Sequence, residues 1–142
     1  MNETLAPLLT WIGLWGTHSQ RFLLVLMVIT SLAFALPIFF MPLTWARWMK
    51  WRQPKEADGH DLAVYFGRCL GVFILIVEAL MLRAALTGEG LLFTYQVLLG
   101  VAAGMVIVHI WGALQRIQPF TETLEIGMYS GMGILALLFY PK

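Results

Sequence analysis

Four long apolar stretches, at 22–43, 62–86, 91–114 and 123–140, occupy most of this 142-residue chain. A helix needs about 20 mainly apolar residues to cross a hydrocarbon core roughly 30 Å thick, and each stretch is close to that length or beyond it. In lipid, a backbone that is neither helical nor part of a closed barrel leaves its N–H and C=O groups unpaired. Helices are therefore the expected form. Composition names the same solvent: 60% of the residues are hydrophobic and 12% are charged, against about 45–50% and about 25% in soluble domains. A soluble protein of this size would leave much of that apolar surface in water. A disordered chain, a disulfide-built secreted domain and a nucleic-acid binder with a basic face are excluded. Membrane lipids are the expected surroundings and nucleic acid is not an expected partner. A net charge of +1 supplies no long-range field, and the single cysteine, Cys69, lies in an apolar run and reads as a small hydrophobe.

The breaks between the stretches carry turn and charge signals: Lys50 to Gly59, then Thr87-Gly88-Glu89-Gly90, then Gln115 to Pro119. The last two are short, which makes the second, third and fourth helices antiparallel neighbours in sequence. The expected fold is all-α integral membrane: one domain over 1–142, a four-transmembrane-helix bundle with short loops. Residues 1–20 are apolar in part but contain Pro7, Gly13 and Gly16 and are too short to span; they read as an interfacial helix or re-entrant piece. Arg21 and Ala33-Phe34-Ala35 mimic a signal-peptide cleavage site, but hydrophobicity continues unbroken past it.

Arg47, Lys50, Arg52, Lys55 and Arg116 lie on one side of this arrangement, and Arg21, Arg83 and Lys142 on the other. The positive-inside rule then places the first and third connections in the cytoplasm of, by expectation, a bacterial inner membrane, with both termini outside. Trp45, Trp48 and Trp51, interleaved with Arg47, Lys50 and Arg52, suit a helical continuation anchored at the headgroups. Pro37 and Pro42 predict a bend at the end of the first helix, where freed carbonyls need a partner.

Each of the last three helices carries Gly-x-x-x-Gly: Gly67 and Gly71, Gly100 and Gly104, Gly127 and Gly131. Such pairs allow close backbone approach, first within the bundle and second against another subunit. Glu78 lies within roughly 20–40° of Gly67 and Gly71 around its helix, deep enough that it must be satisfied. Folding about Thr87–Gly90 sets it level with Leu99 and Gly100, so the expected contact is Glu78 with Gln96, with Glu78 either protonated through desolvation or paired with Arg83 or a cation. The same folding sets Arg68 level with His109, and His109 should face the fourth helix. Arg68 is expected to snorkel or to pair with Glu122 or Glu125, with Thr121 or Thr123 capping that helix.

No nucleophile–base pair, HExxH or phosphate loop occurs, so no catalytic residues, metal ligands or cofactor are predicted. Of the three histidines only His109 is well inside a helix, with His60 at a helix start and His18 at the opposite side, which leaves at most a haem shared with another subunit. The leading expectation is a non-enzymatic accessory or scaffolding subunit of a larger inner-membrane complex, with partner subunits or a homo-oligomer. The alternative is a small homodimeric proton-coupled carrier using Glu78. Its size and lone membrane acid resemble the small multidrug transporters, although their acid lies in the first helix and this one in the second. A third reading is a quinone or lipid pocket near Arg68, His109, Tyr65, Phe66 and Trp111.

Overall fold

The computed structural model describes Pro7 and residues 10–142. Among these the chain is helical and contains no strand. We number the helices α1 (Gly16–Phe40), α2 (Pro42–Trp48), α3 (Ala57–Thr87), α4 (Leu91–Gln115) and α5 (Phe120–Leu138). Three of them, α1, α3 and α4, are long and apolar enough to cross a membrane, which makes this a multi-pass membrane protein. The fourth apolar stretch falls short of the other three because Glu122 and Glu125 lie in the first two turns of α5. At 1.5 Å per residue the 31-residue α3 is about 46 Å long, more than the hydrocarbon core needs. It begins at Ala57, five residues before the apolar stretch, so the turn holding Asp58, His60 and Asp61 projects beyond that stretch.

α1 is continuous but not uniform. After Thr30 it opens into a π-helical turn, Ser31–Ala35, then resumes as Leu36–Phe40. Pro37 has no N–H to give the carbonyl four residues back. That carbonyl, on Ala33, instead accepts the indole N–H of Trp45 at 3.0 Å. The helix stops at Met41 (φ −134°, ψ 55°), because the residue before Pro42 is driven out of the α region. The chain restarts as α2, and Lys50 ends that piece at φ 65°.

α1 and α2 pack along α3, α5 packs along α4, and the two pairs meet through α3 and α4. Gly67 and Gly71 face α1 and α2: a Cβ on Gly67 would stand 2.5 Å from Cβ of Pro42, and one on Gly71 2.8 Å from the backbone of Phe39. A Cβ on Gly100, Gly104, Gly127 or Gly131 would meet nothing within 4 Å. These four glycines are therefore not packed inside the bundle, contrary to the first expectation from the sequence.

All four long helices contribute to one core near the Thr87–Leu91 turn: Leu23, Met81, Ala84, Tyr95, Leu98 and Ala136. We call this the upper end. Here Phe22 stacks on Phe139 with ring centroids 4.6 Å apart, the Tyr95 hydroxyl donates to the Ser19 carbonyl at 2.9 Å, and the Ser19 hydroxyl shares its proton between the Gly16 carbonyl and the Phe139 carbonyl, the latter at 2.7 Å. Residues 10–15 form turns rather than the expected interfacial helix. Their backbone docks on the end of α5, Gly13 N–H to Leu137 at 2.9 Å and Trp15 N–H to Leu138 at 2.8 Å. Residues 1–6, 8 and 9 of that predicted segment lie outside the described residues.

Gly71→Ala is expected to lower stability by about 1–3 kcal/mol, the usual cost of overpacking. Gly100→Ala should leave it level or slightly raised, since Ala is the better helix former. Reversible unfolding of both variants in mixed micelles checks this, and equal stabilities would contradict the packing described.

Candidate functional site

Two buried polar clusters hold the helices together. The first surrounds Glu78, which is 5% exposed. Its Oε2 accepts the Ser31 hydroxyl at 2.7 Å and its Oε1 lies 3.0 Å from the Thr30 hydroxyl. Thr30 also reaches the Leu26 and Met27 carbonyls at 3.0 and 3.2 Å, so its one proton is shared among three acceptors and Ser31 is the dedicated donor. Both hydroxyls sit where α1 opens into its π turn. Glu78 thus lies on the same side of α3 as Gly67 and Gly71, but it meets α1 and not α4. Gln96 is exposed on α4, and Arg83 pairs with Glu89 at 2.6 Å. The predicted Glu78–Gln96 and Glu78–Arg83 contacts are replaced because the π turn presents hydroxyl donors in the neighbouring helix.

The second cluster is at the opposite, lower end, where α4 turns back into α5. Arg116 (φ 56°) ends α4 in the left-handed conformation, and Pro119, with extended backbone, opens α5. The turn between them is held from inside: the Gln118 amide donates to the His109 carbonyl and to the Thr123 hydroxyl, both at 3.0 Å. Residues three apart share a helix face, so Glu122 and Glu125 point together at α4. There His109 Nε2 lies 3.2 Å from Glu122 Oε2 and 3.2 Å from Glu125 Oε2. His109 Nδ1 donates to the Met105 carbonyl at 2.7 Å. The three side chains are 4%, 10% and 8% exposed.

The segment that follows α2 closes over this cluster. The Trp51 indole donates to Glu122 Oε1 at 2.6 Å, and the Thr121 hydroxyl donates to the Met49 carbonyl. Tyr129 lies against the imidazole, with ring centroids 5.4 Å apart. Glu125 Oε1 is buried and has no hydrogen-bond partner. Ligand-type atoms of His109, Glu122 and Glu125 all lie within 4.8 Å of one another, so these residues could hold a cation.

The tryptophan series splits into three roles. Trp45 caps the carbonyl freed by Pro37, Trp48 is exposed, and Trp51, beyond the end of α2, reaches Glu122. Arg47, Lys50 and Arg52 are exposed beside them. Arg68 is also exposed, on a shallow groove with Tyr65, Cys69, Val72 and Phe73. It does not join Glu122 or Glu125, whose partner is His109. Tyr65, Phe66 and Trp111 lie on the surface, whereas His109 is buried.

The sequence reading turned His109 toward the last helix and noted both acids, but assigned those acids to Arg68 and the helix N-terminus. The overlooked signal is Glu-x-x-Glu just after a turn that returns the chain past a histidine. No family model matches the chain, and neither the curated proteins nor the solved structures contain a match.

Ser31→Ala should cost about 1–3 kcal/mol by leaving Glu78 Oε2 buried without its donor. Ser130→Ala, at an exposed site on α5, should be close to neutral. Thermal unfolding in detergent of the two variants checks the difference, and a neutral Ser31→Ala would remove Ser31 as the donor that holds Glu78.

Proposed function

We propose that this protein is a non-enzymatic accessory subunit of a larger inner-membrane assembly. In this reading α5 is a fourth span beside α1, α3 and α4, the lower connections face the cytoplasm, and the α4–α5 pair carries the partner surface. The supporting observation is the emptiness beside Gly100, Gly104, Gly127 and Gly131. In α4 the face that meets α5 carries Ala102, whose Cβ would be 3.4 Å from one added to Gly133. Gly100 and Gly104 stand about 160° from Ala102 around the helix, so they point away from α5. Gly131 is likewise about 160° from Gly133.

Helices in lipid gain little from burying apolar surface, because lipid tails are equally apolar, and associate through close packing and hydrogen bonds. Two glycine notches turned away from their own bundle suit partner helices approaching at backbone distance. The carrier reading instead needs Glu78 free to exchange ligands. Its oxygens are engaged by Ser31 and Thr30, so Glu78 serves as a clamp between α1 and α3.

Native mass spectrometry of the protein extracted gently from its own membrane should show a stoichiometric complex with a different membrane subunit. Gly100→Leu combined with Gly104→Leu should release that subunit while the chain itself still folds. Recovery of single chains or of homodimers alone would overturn the accessory reading.

A further inference from the structure

The donors around His109 are arranged for a cation they share. Its Nδ1–H is committed to the Met105 carbonyl, which leaves Nε2 of the neutral ring as a bare lone pair. That lone pair looks onto two carboxylate oxygens, each 3.2 Å away, and Glu125 Oε1 beside them has no donor at all. Three acceptors facing one another with an orphaned fourth are costly in a site sealed from water. Two carboxylates and a neutral imidazole also carry two negative charges, the complement of a divalent ion.

The spacing agrees with that charge balance. Zinc binds His nitrogen at about 2.0–2.1 Å and carboxylate oxygen at about 2.0–2.2 Å, usually in a tetrahedron. Two donors of such a tetrahedron stand about 3.3–3.5 Å apart by simple geometry on those bond lengths, close to the 3.2 Å found here. The outer groups fit as well. Ligating histidines give their other ring N–H to a carbonyl or carboxylate, and ligating carboxylates are themselves hydrogen-bonded; Met105 and Trp51 fill those places.

We propose that His109 Nε2, Glu122 Oε2 and the Glu125 carboxylate bind one divalent transition-metal cation of the Zn2+ type. It is a closed structural site that fastens α4 to α5 and, through Trp51, fastens the segment after α2 to both. The site is independent of the glycine-notch reading, since it uses the opposite face of α4.

The test uses the untagged full chain in detergent, stripped with a chelator and titrated with ZnCl2, with metal content and melting temperature as readouts. One zinc per chain and a raised melting temperature are expected, retained in Arg68→Gln and lost in Glu125→Gln. Trp51→Phe keeps all three ligands and should weaken zinc binding about 10–100-fold, the usual effect of removing an outer partner. Zinc-edge X-ray absorption of the wild-type protein should show one imidazole among oxygen donors, a readout that needs no variant to fold. Wild-type protein that takes up no stoichiometric zinc, as expected if His109 simply carries a second proton between the acids, would overturn the proposal. Zinc binding unchanged by Glu125→Gln, or an absorption spectrum without imidazole, would do the same.

Discussion

Lipid offers no hydrogen bonds, and this constraint organises the whole molecule. Polar groups carried into the apolar layer need partners in the protein, and here several of those pairings join separate segments of chain. The Ala33 carbonyl, freed by Pro37, takes the Trp45 indole. Glu78 takes the hydroxyls at the π turn of α1. Ser19 and Tyr95 tie α1 to α4 and to the end of α5. His109 and the two acids of α5 converge on one point between the helices. Single interhelical hydrogen bonds in membranes contribute only about 0.6–2 kcal/mol each, so their main effect is to fix register and rotation. Close packing at Gly67 and Gly71 supplies the rest of the grip between α3 and the broken first helix.

The bundle is consequently two unlike pairs. The α1–α3 pair is built around irregular backbone: a π turn, a helix break at Met41 and two prolines, each matched by a glycine or a polar side chain opposite. The α4–α5 pair is regular in backbone and irregular in charge, with both acids of α5 drawn to one histidine. The π turn Ser31–Ala35 sits against a buried carboxylate. Ser31, at the start of the turn, donates to Glu78, and the freed Ala33 carbonyl two residues later is capped by Trp45 from α2. Irregularity in one helix and a buried carboxylate in the next are a single arrangement.

Much of the helical layout was legible in the sequence because apolar length and short polar breaks depend only on local composition. Three of the four apolar stretches correspond to helices able to cross a membrane. The direction of His109 followed from helical periodicity alone. What composition could not supply was pairing. Depth arithmetic about the Thr87–Gly90 turn brought Glu78 level with α4, but a residue's level says nothing of which neighbour it faces, and the hydroxyls of α1 lay in a helix that the arithmetic did not include. The Glu122–Glu125 pair was read against the nearest cation by depth, Arg68. Arginine can reach water along its own stem, whereas a histidine buried opposite two acids cannot. The tryptophans followed one periodic pattern in sequence and separated in space because α2 ends before Trp51.

The docking of residues 10–19 on the end of α5 bears on how the protein is made. Ser19 bonds to Phe139, 120 positions further along the chain, and Gly13 and Trp15 bond to Leu137 and Leu138. A ribosome releases the first partner of each bond long before the second exists. α1 must therefore enter the bilayer with its leading segment unengaged, and wait through the insertion of α3 and α4 until α5 arrives beside it. Contacts of such long sequence separation form late and slowly.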